Sequence, residues 1–383
     1  MKKPRSRGTR RAKKNMVVLP QDLIIRILLR LPVKSLVRFK CVSKSWLSLI
    51  SDPDFALSHY ELAAAPAQKL LVIAPSVSEV RSRDLNASFH DDSASVELNL
   101  NLPFLQNYHG IIGSCRGYLL FDCNSSMYLW NPSTGVHKQI PSSPIASNLN
   151  LTCSFLCGFG YDPSRDDYLV VQASYEPNVV DVVTRVEIFS LRANTWTEME
   201  GTDLTYMNPS DDPIPRHGSL INGAIHWLAF RSDISVNVIV AFDLTERSFS
   251  EIPLPDDVDQ VYDFNTVDLW VFGGFLSLWA MGDETDIWVM QEYKVHSSWT
   301  KTFAVSLDAI PTQYFSPICI SNTTGDIVGV DGRTGLVKCD HNGQLLEHCI
   351  FGDEAYGWDA VIYTESLLQL PGHHQQPQEE INN

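Results

Sequence analysis

Residues 19–55, LPQDLIIRILLRLPVKSLVRFKCVSKSWLSLISDPDF, decide how the rest of the chain is read. Leu23, Ile24, Ile27, Leu28 and Leu31 fall at i, i+1, i+4, i+5 and i+8, which lines one face of a helix of about three turns, opened by Pro20 and stopped by Pro32. A second apolar set, Val33, Leu36, Val37 and Phe39, follows at once. Ser43 then offers an N-cap oxygen to a third helix carrying Trp46, Leu47 and Ile50, and Asp52-Pro53 is expected to end it. Roughly 40 residues is below the size at which a lone core normally suffices, so part of this apolar surface should meet a partner.

Around that unit the composition is that of an ordinary globular protein, with 44% hydrophobic and 19% charged residues in 383. The length leaves room for two or three domains. No apolar run approaches the ~20 residues that span a bilayer, and Arg26 and Arg30 interrupt the one leucine-rich candidate. The N-terminus lacks the uninterrupted apolar segment of a secretion signal, so no membrane partner is expected. Cys41, Cys115, Cys123, Cys153, Cys157, Cys319, Cys339 and Cys349 form no CxxC pair and read as buried thiols in a reducing compartment.

The formal charge of -16 hides an asymmetry. Lys2, Lys3, Arg5, Arg7, Arg10, Arg11, Lys13 and Lys14 precede any acid; taking those eight from the 29 Lys and Arg leaves 21 against 45 Asp and Glu. A basic arm on an acidic body bears on address and partners, not on fold. The arm reads as a nuclear-import signal or a solvated tail, giving a cytoplasmic or nuclear location, and nucleic acid is not an expected partner.

After residue 68 the pattern changes to apolar runs of four to eight residues bounded by Gly, Pro, Asn, Asp and Ser. Five segments repeat a strand, a polar connection, a second strand, a turn and a third strand. They start at GYLLF, DYLVVQA, AIHWLAF, GFLSLWAM and GDIVGV. Their second turns begin near Pro132, Arg192, Thr245, Lys294 and His341, at steps of 60, 53, 49 and 47 residues, the ~50-residue period of propeller blades. A ring must close, so LLVIA and SVELNL near its start and AVIYTE and LLQL near its end are assigned to a sixth, shared blade.

The first unit resembles the F-box of plant proteins, carried by LPxDLIxxILxRLPVKSLxRFKCVSKSWxxLIxDPxF. Residues 105–350 resemble the plant F-box-associated, kelch-like interaction domain, carried by GSCRGYLLF, LWNPSTG, GFGYDPSRDDYLVV, VEIFSLRANTW, LINGAIHWLA, IVAFDLTERSF and DLWVFGGFLSL. The diglycines and paired Tyr and Trp of regular kelch repeats are mostly missing. The expected fold is therefore α+β and multidomain: a basic disordered arm (1–15), a three-helix F-box (16–57), a linker (58–68), an all-β kelch-like propeller of about six blades (69–370) and a disordered tail (371–383). The resemblance implies a substrate receptor of an SCF ubiquitin ligase, docked on a Skp-family adaptor, and through it a cullin, by Leu19, Pro20, Leu23, Ile27, Leu31, Pro32 and Leu36. An F-box propeller protein acting outside a ligase and a propeller enzyme are the alternatives.

No catalytic motif supports the enzyme. GxSxG, HExxH, a P-loop and GxGxxG after a strand are all missing. His217, His226, His296 and His348 sit singly beside strands and read as structural. Residues 162–167, DPSRDD, read as an Asx-type turn without calcium-loop spacing, and Gly273-Gly274 as a close approach of backbones within a blade. No cofactor or metal is expected. Recognition is instead assigned to the connection after the first strand of each repeat, read as the longer one, where Asp122, Glu176, Asp181, Asp233, Asp283, Glu284, Asp286 and Asp331 outnumber Arg231 and Arg333. Those acids favour a basic target protein.

Deleting residues 2–14 should leave adaptor capture intact and lower the nuclear fraction of a tagged chain. An unchanged distribution would mark the arm as a solvated tail.

Overall fold

In the computed structural model of the chain, residues 19–62, 68–74, 79–98, 108–123, 126–145, 153–175, 183–200, 204–208, 216–321, 324–332, 335–350 and 359–371 are described. The basic arm, the C-terminal tail after 371, Asp181, Glu176 and Arg333 lie outside them. The chain divides into two units, Met1–Ala64 and Ala65–Asn383.

Among its described residues the first unit has four helices, one more than expected. Pro20 stands at the N-cap of α1 (Gln21–Leu28), which is shorter than three turns, and Pro32 at that of α2 (Val33–Phe39). Ser43 accepts the Trp46 N–H (3.2 Å) and opens α3 (Lys44–Ile50). The correction concerns Asp52-Pro53, which ends α3 and also begins α4 (Pro53–Leu62). Asp52 Oδ1 accepts the N–H groups of Asp54 (2.9 Å) and Phe55 (3.1 Å), and proline at the first helical position loses no hydrogen bond. The first part of the expected linker is therefore helix. Leu28, Val33, Leu36, Ile50, Phe55 and Ala56 make the small core. His59, also buried, donates from Nε2 to the Leu31 carbonyl (2.9 Å) and ties α4 to the end of the α1 turn.

The second unit is a six-bladed β-propeller, its strands lettered A to D outward from the axis. Blade one is Gly110–Cys115, Tyr118–Cys123, Ser126–Trp130 and His137–Ile140; blade two is Cys153–Asp162, Asp167–Tyr175, Arg185–Ser190 and Thr195–Glu198. In blade three the A position is split, because Ser219–Ile221 and Tyr206–Met207 each pair with part of Ala224–Arg231, followed by Val236–Asp243 and Ser248–Ile252. Blade four is Val267–Phe272, Phe275–Met281, Glu284–Met290 and Trp299–Ser306; blade five is Ser316–Ile320, Ile327–Asp331, Gly335–Cys339 and Leu345–Ile350. Each repeat read from sequence supplies strands B, C and D, and the A strand precedes it.

Blade six takes its A strand, Asp359–Thr364, from the end of the chain and its B to D strands, Gln68–Ala74, Glu79–Asp84 and Ser95–Glu97, from the start. The terminal strands pair antiparallel, Leu71 opposite Val361. LLQL is not a strand of this blade. It is an extended strap on blade one, where Tyr118 Oη donates to the Leu368 carbonyl (2.9 Å) and Asn131 Nδ2 to that of Ser366 (3.1 Å).

The core lies between blades. Ile225, Trp227 and Phe242 of blade three meet Leu169, Val171 and Ile188 of blade two, and comparable clusters join blades three to four, four to five, five to six and six to one. A sheet covered on both faces needs apolar side chains in both directions, which is why the B strands read as unbroken apolar runs. The outer D strands are mostly exposed and polar, as in TWTE of blade two.

The turns repeat a device. Asn131, Asp243 and Asp340 each accept backbone N–H groups two or three to four residues on, and the C–D turns reach positive φ at Gly135, Asn194, Arg247, Lys294 and Gly343. Gly273 and Gly274 are the A–B turn of blade four, with φ of 58° and 87°, suited to a type I′ hairpin. Nothing lies within 4 Å of a Cβ built on Gly274, so turn conformation and not close approach explains the pair.

The length expectation for the connections fails. The B–C connection of blade one is residues 124–125 and that of blade four 282–283, whereas the D–A connection into blade four runs over residues 253–266. Neighbouring antiparallel strands join by a tight turn, but D to A must return from the rim to the axis. B–C and D–A connections share one face, and A–B and C–D turns share the other.

Close approach does matter at Gly218, where a Cβ would fall 2.2 Å from Ile225 Cγ2 and 2.6 Å from Trp227 Nε1. Gly218→Ala should lower stability by about 1–3 kcal/mol, read as an earlier urea midpoint in tryptophan fluorescence. An unchanged midpoint would mean that the inner strands can spread.

Candidate functional site

Seven of the seventeen large exposed apolar side chains among the described residues belong to the small helical unit, although it is a minor part of the chain. Leu19, Leu23 and Ile27, 50%, 45% and 52% exposed, run from the N-cap along α1, with Pro20 and Pro32 also exposed. The apolar stripe of α1 is thus divided, Leu28 turning into the core while Leu23 and Ile27 face outward. Leu31 is half-buried. Leu36 is fully buried and supports the surface from beneath, so its expected direct contact with an adaptor is corrected. Leu47 and Val42, beyond the seven expected residues, extend the exposed apolar set, and periodicity alone could not show which side of so small a core they would take.

On the propeller, the acids assigned to recognition separate into different environments. Arg231 is the hub of a network: it binds Asp233 (2.9 and 3.1 Å) and Glu251 (2.9 and 3.1 Å), while Tyr206 Oη donates to Glu251 (2.6 Å) and Thr205 Oγ1 to Asp233 (2.8 Å). The hydrogen bonds of Asp233 hold the Arg231 guanidinium above its ordinary pKa. Arg231 and Asp233 therefore neutralise one another at the rim of blade three. Asp331 is fully buried and bound by His348 Nε2 (2.5 Å). Asp122 is half-buried in its strand.

Asp283, Glu284 and Asp286 stay together, but not as three solvated loop acids. Asp283 and Glu284 are exposed at the B–C turn of blade four, whereas Asp286 lies within strand C and is 5% exposed. With Tyr262 and Asp263 of the D–A connection they line a groove of about 650 Å³. Asp286 Oδ2 accepts from Tyr262 Oη and pairs with Lys301 Nζ (2.5 Å). Burial first, and then Asp286, hold the Tyr262 phenol well above its ordinary pKa, so it remains the donor. Asp286 Oδ1 is buried without a hydrogen-bond partner among the described residues. Such an acceptor costs about 1–3 kcal/mol, more when charged.

The axial cavity, about 520 Å³, is lined by A strands of the ring. Several polar groups in and beside it are engaged from within. Asp359 accepts from Tyr108 Oη (2.7 Å) and the Ile111 N–H (3.3 Å), and Arg216 donates to the carbonyls of Val267 (3.0 Å) and Phe264 (2.8 Å). Burial holds His217 beside it below the usual imidazole range despite Asp359.

Several nucleophiles and bases of the propeller are buried or bound as well, whereas Cys41 of the helical unit is exposed and Cys349 half-buried, which corrects the expectation of buried thiols throughout. Burial pushes the thiols of Cys115, Cys123, Cys319 and Cys339 up to about 12. Burial pushes His226 down to about 4; the neutral ring donates from Nδ1 to the Ser219 carbonyl (3.2 Å) and accepts at Nε2 from Tyr293 Oη (2.8 Å). His296 is held by the Leu254 carbonyl (2.9 Å). Among the described residues no group of three His, Cys, Asp or Glu is placed to hold a metal, and no helix is long and apolar enough to cross a membrane. DPSRDD is the A–B turn of blade two, with Asp162 Oδ1 accepting the Ser164 N–H (2.9 Å) and Asp162 Oδ2 engaged by Arg165 (2.8 Å).

Comparison with known proteins gives two family matches, an F-box domain over residues 18–58 and an F-box associated beta propeller domain over residues 70–336. An F-box/kelch-repeat protein of Arabidopsis thaliana is 30% identical over 362 residues, 91% of this chain and 95% of that one. The F-box protein CPR1 of Arabidopsis thaliana is 30% identical over 374 residues, 92% of this chain and 89% of its own.

The division of the small unit into outward and inward leucines can be read by stability. Leu36→Ala should cost about 2–5 kcal/mol and melt the helices early by circular dichroism, while Leu23→Ala should leave the melt in place. Equal losses would remove the distinction between surface and core.

Proposed function

Because the chain belongs to the plant F-box proteins that carry a C-terminal F-box-associated propeller, we propose that it is the substrate-recognition subunit of an SCF ubiquitin ligase. The observation that carries this reading is the unpartnered apolar row Leu19, Leu23 and Ile27, flanked by Pro20 and Pro32, on a unit too small to cover it. A Skp-family adaptor, joined to a cullin, is the partner that covers it. The propeller holds the protein to be modified.

The chain supplies no bond-making residue in this reading. It holds a target lysine near the charged conjugating enzyme, which converts a bimolecular encounter into a high effective concentration. Rigid blades suit that task, since they carry recognition connections on a frame that does not deform when a target binds.

Changing both Leu19 and Pro20 to Ala should abolish co-purification of adaptor and cullin with the full chain, because interface energy concentrates in a few central anchors. The tryptophan near-ultraviolet spectrum of the propeller should be unchanged. Undiminished adaptor capture refutes the docking assignment, and capture of adaptor without cullin places the protein outside a ligase.

A further inference from the structure

The strap that follows the closing strand is buried although it belongs to no sheet. Over residues 365–370, Ser366, Leu367, Leu368 and Leu370 are only 1%, 4%, 7% and 3% exposed. Segments near a chain end ordinarily fray unless something ties them down. Blade one does the tying: Tyr118 Oη donates to the Leu368 carbonyl (2.9 Å), Asn131 Nδ2 to the Ser366 carbonyl (3.1 Å), and the Ser366 N–H to Ser133 Oγ (3.2 Å). The site is also shaped for the strap. Tyr118 and Asn131 are fully buried, and at Gly117 a Cβ would fall 2.2 Å from Ser366 Cβ and 2.9 Å from the Thr364 carbonyl oxygen.

At its other end the closing strand, Asp359–Thr364, meets blade one again, because Asp359 Oδ2 accepts from Tyr108 Oη (2.7 Å) and from the Ile111 N–H (3.3 Å). In the other five blades a covalent turn joins strands A and B. Blade six has none, since its A and B strands come from opposite ends of the unit, and its ladder finishes with Gln68 opposite Thr364. A strand with a loose end opens by peeling from that end, a few contacts at a time. The strap stands where the missing turn would be. It fixes the end of the strand, so peeling has to begin with release of the strap, and a strand that does open stays at high effective concentration beside its partner. We infer that residues 365–370 are a latch: seated on blade one, they hold the closing strand of blade six in its ladder and keep the ring shut.

Hydrogen exchange read by mass spectrometry tests the latch on the full chain, on a chain that ends at Glu365 and on one that ends at Gly372. Loss of the strap should speed exchange of residues 359–364 and 68–74 by about tenfold or more, while strand Ala224–Arg231, across the ring in blade three, keeps its rate, as for a local opening. The chain that ends at Gly372 should exchange as the full chain does. Tyr118→Phe in the full chain removes one hydroxyl donor and leaves every strand in place. It should speed exchange of residues 359–364 by about threefold, the effect of one net hydrogen bond, and it decides the matter if the shorter chain fails to fold. Wild-type rates at residues 359–364 in either variant overturn the latch. Acceleration shared equally by all blades overturns it too, because the strap would then be a general stabiliser, and so does the same acceleration in the chain that ends at Gly372, which would move the effect to the tail.

Discussion

Everything in the propeller depends on the pairing of Gln68–Ala74 with Asp359–Thr364. Each blade is an apolar sheet on both faces, so it is stable only between two neighbours, and a row of such sheets ends in two uncovered faces. Bending the row into a ring removes both. The last strand of the chain lies inside the first, and the clusters on either side, Leu71 and Ile73 with Phe121 and Trp130, Leu70 and Val72 with Val328 and Leu336, fix blade six between blades one and five. Closure is thus a matter of one ladder of hydrogen bonds and two apolar interfaces, with no disulfide or metal among the described residues.

The sequence carried much of this openly. The B, C and D strands show because their apolar runs are framed by turn residues that the structure uses, as Asn131 and Gly135 in NPSTG. The A strands are faint for a physical reason: the neighbouring blade fills their space, so glycines stand at Gly158, Gly160 and Gly218, where Ile225, Trp227 and Leu244 press in. Strand Glu79–Asp84 escapes because it reads EVRSRD, although Arg83 is buried and donates to the Phe89 carbonyl (2.6 Å). Asp52-Pro53 is ambiguous by nature, since the same two residues that stop one helix are good residues to start another.

At the candidate sites, type of residue was legible and partnership was not. Composition placed acids on one face, yet Arg231 with Glu251 and Asp331 with His348 meet only because strands separated in sequence are neighbours in space. The same holds for Asp286, whose burial follows from Tyr262 and Lys301 closing over it. Leu36 and Leu23 have the same chemistry and nearly the same spacing to their prolines, and only the packing of four short helices assigns one to the core and the other to water.

The position of the closing strand also sets an order in time. The helical unit leaves the ribosome first, whereas Leu70 must wait for Ile362, 292 residues later, before its sheet gains an inner neighbour. At the usual pace of synthesis that wait is roughly 15–60 seconds, during which five blades have no ring to belong to. Nascent chains therefore expose an unpaired strand edge and apolar blade faces for as long as the message takes to finish, which invites chaperone holding. A chain ended early by a damaged message would, on the docking proposed here, still occupy an adaptor while presenting no finished surface to a target. Such fragments would act as competitors of the complete protein, so quality control over synthesis of the closing strand would protect the pool of that proposed adaptor.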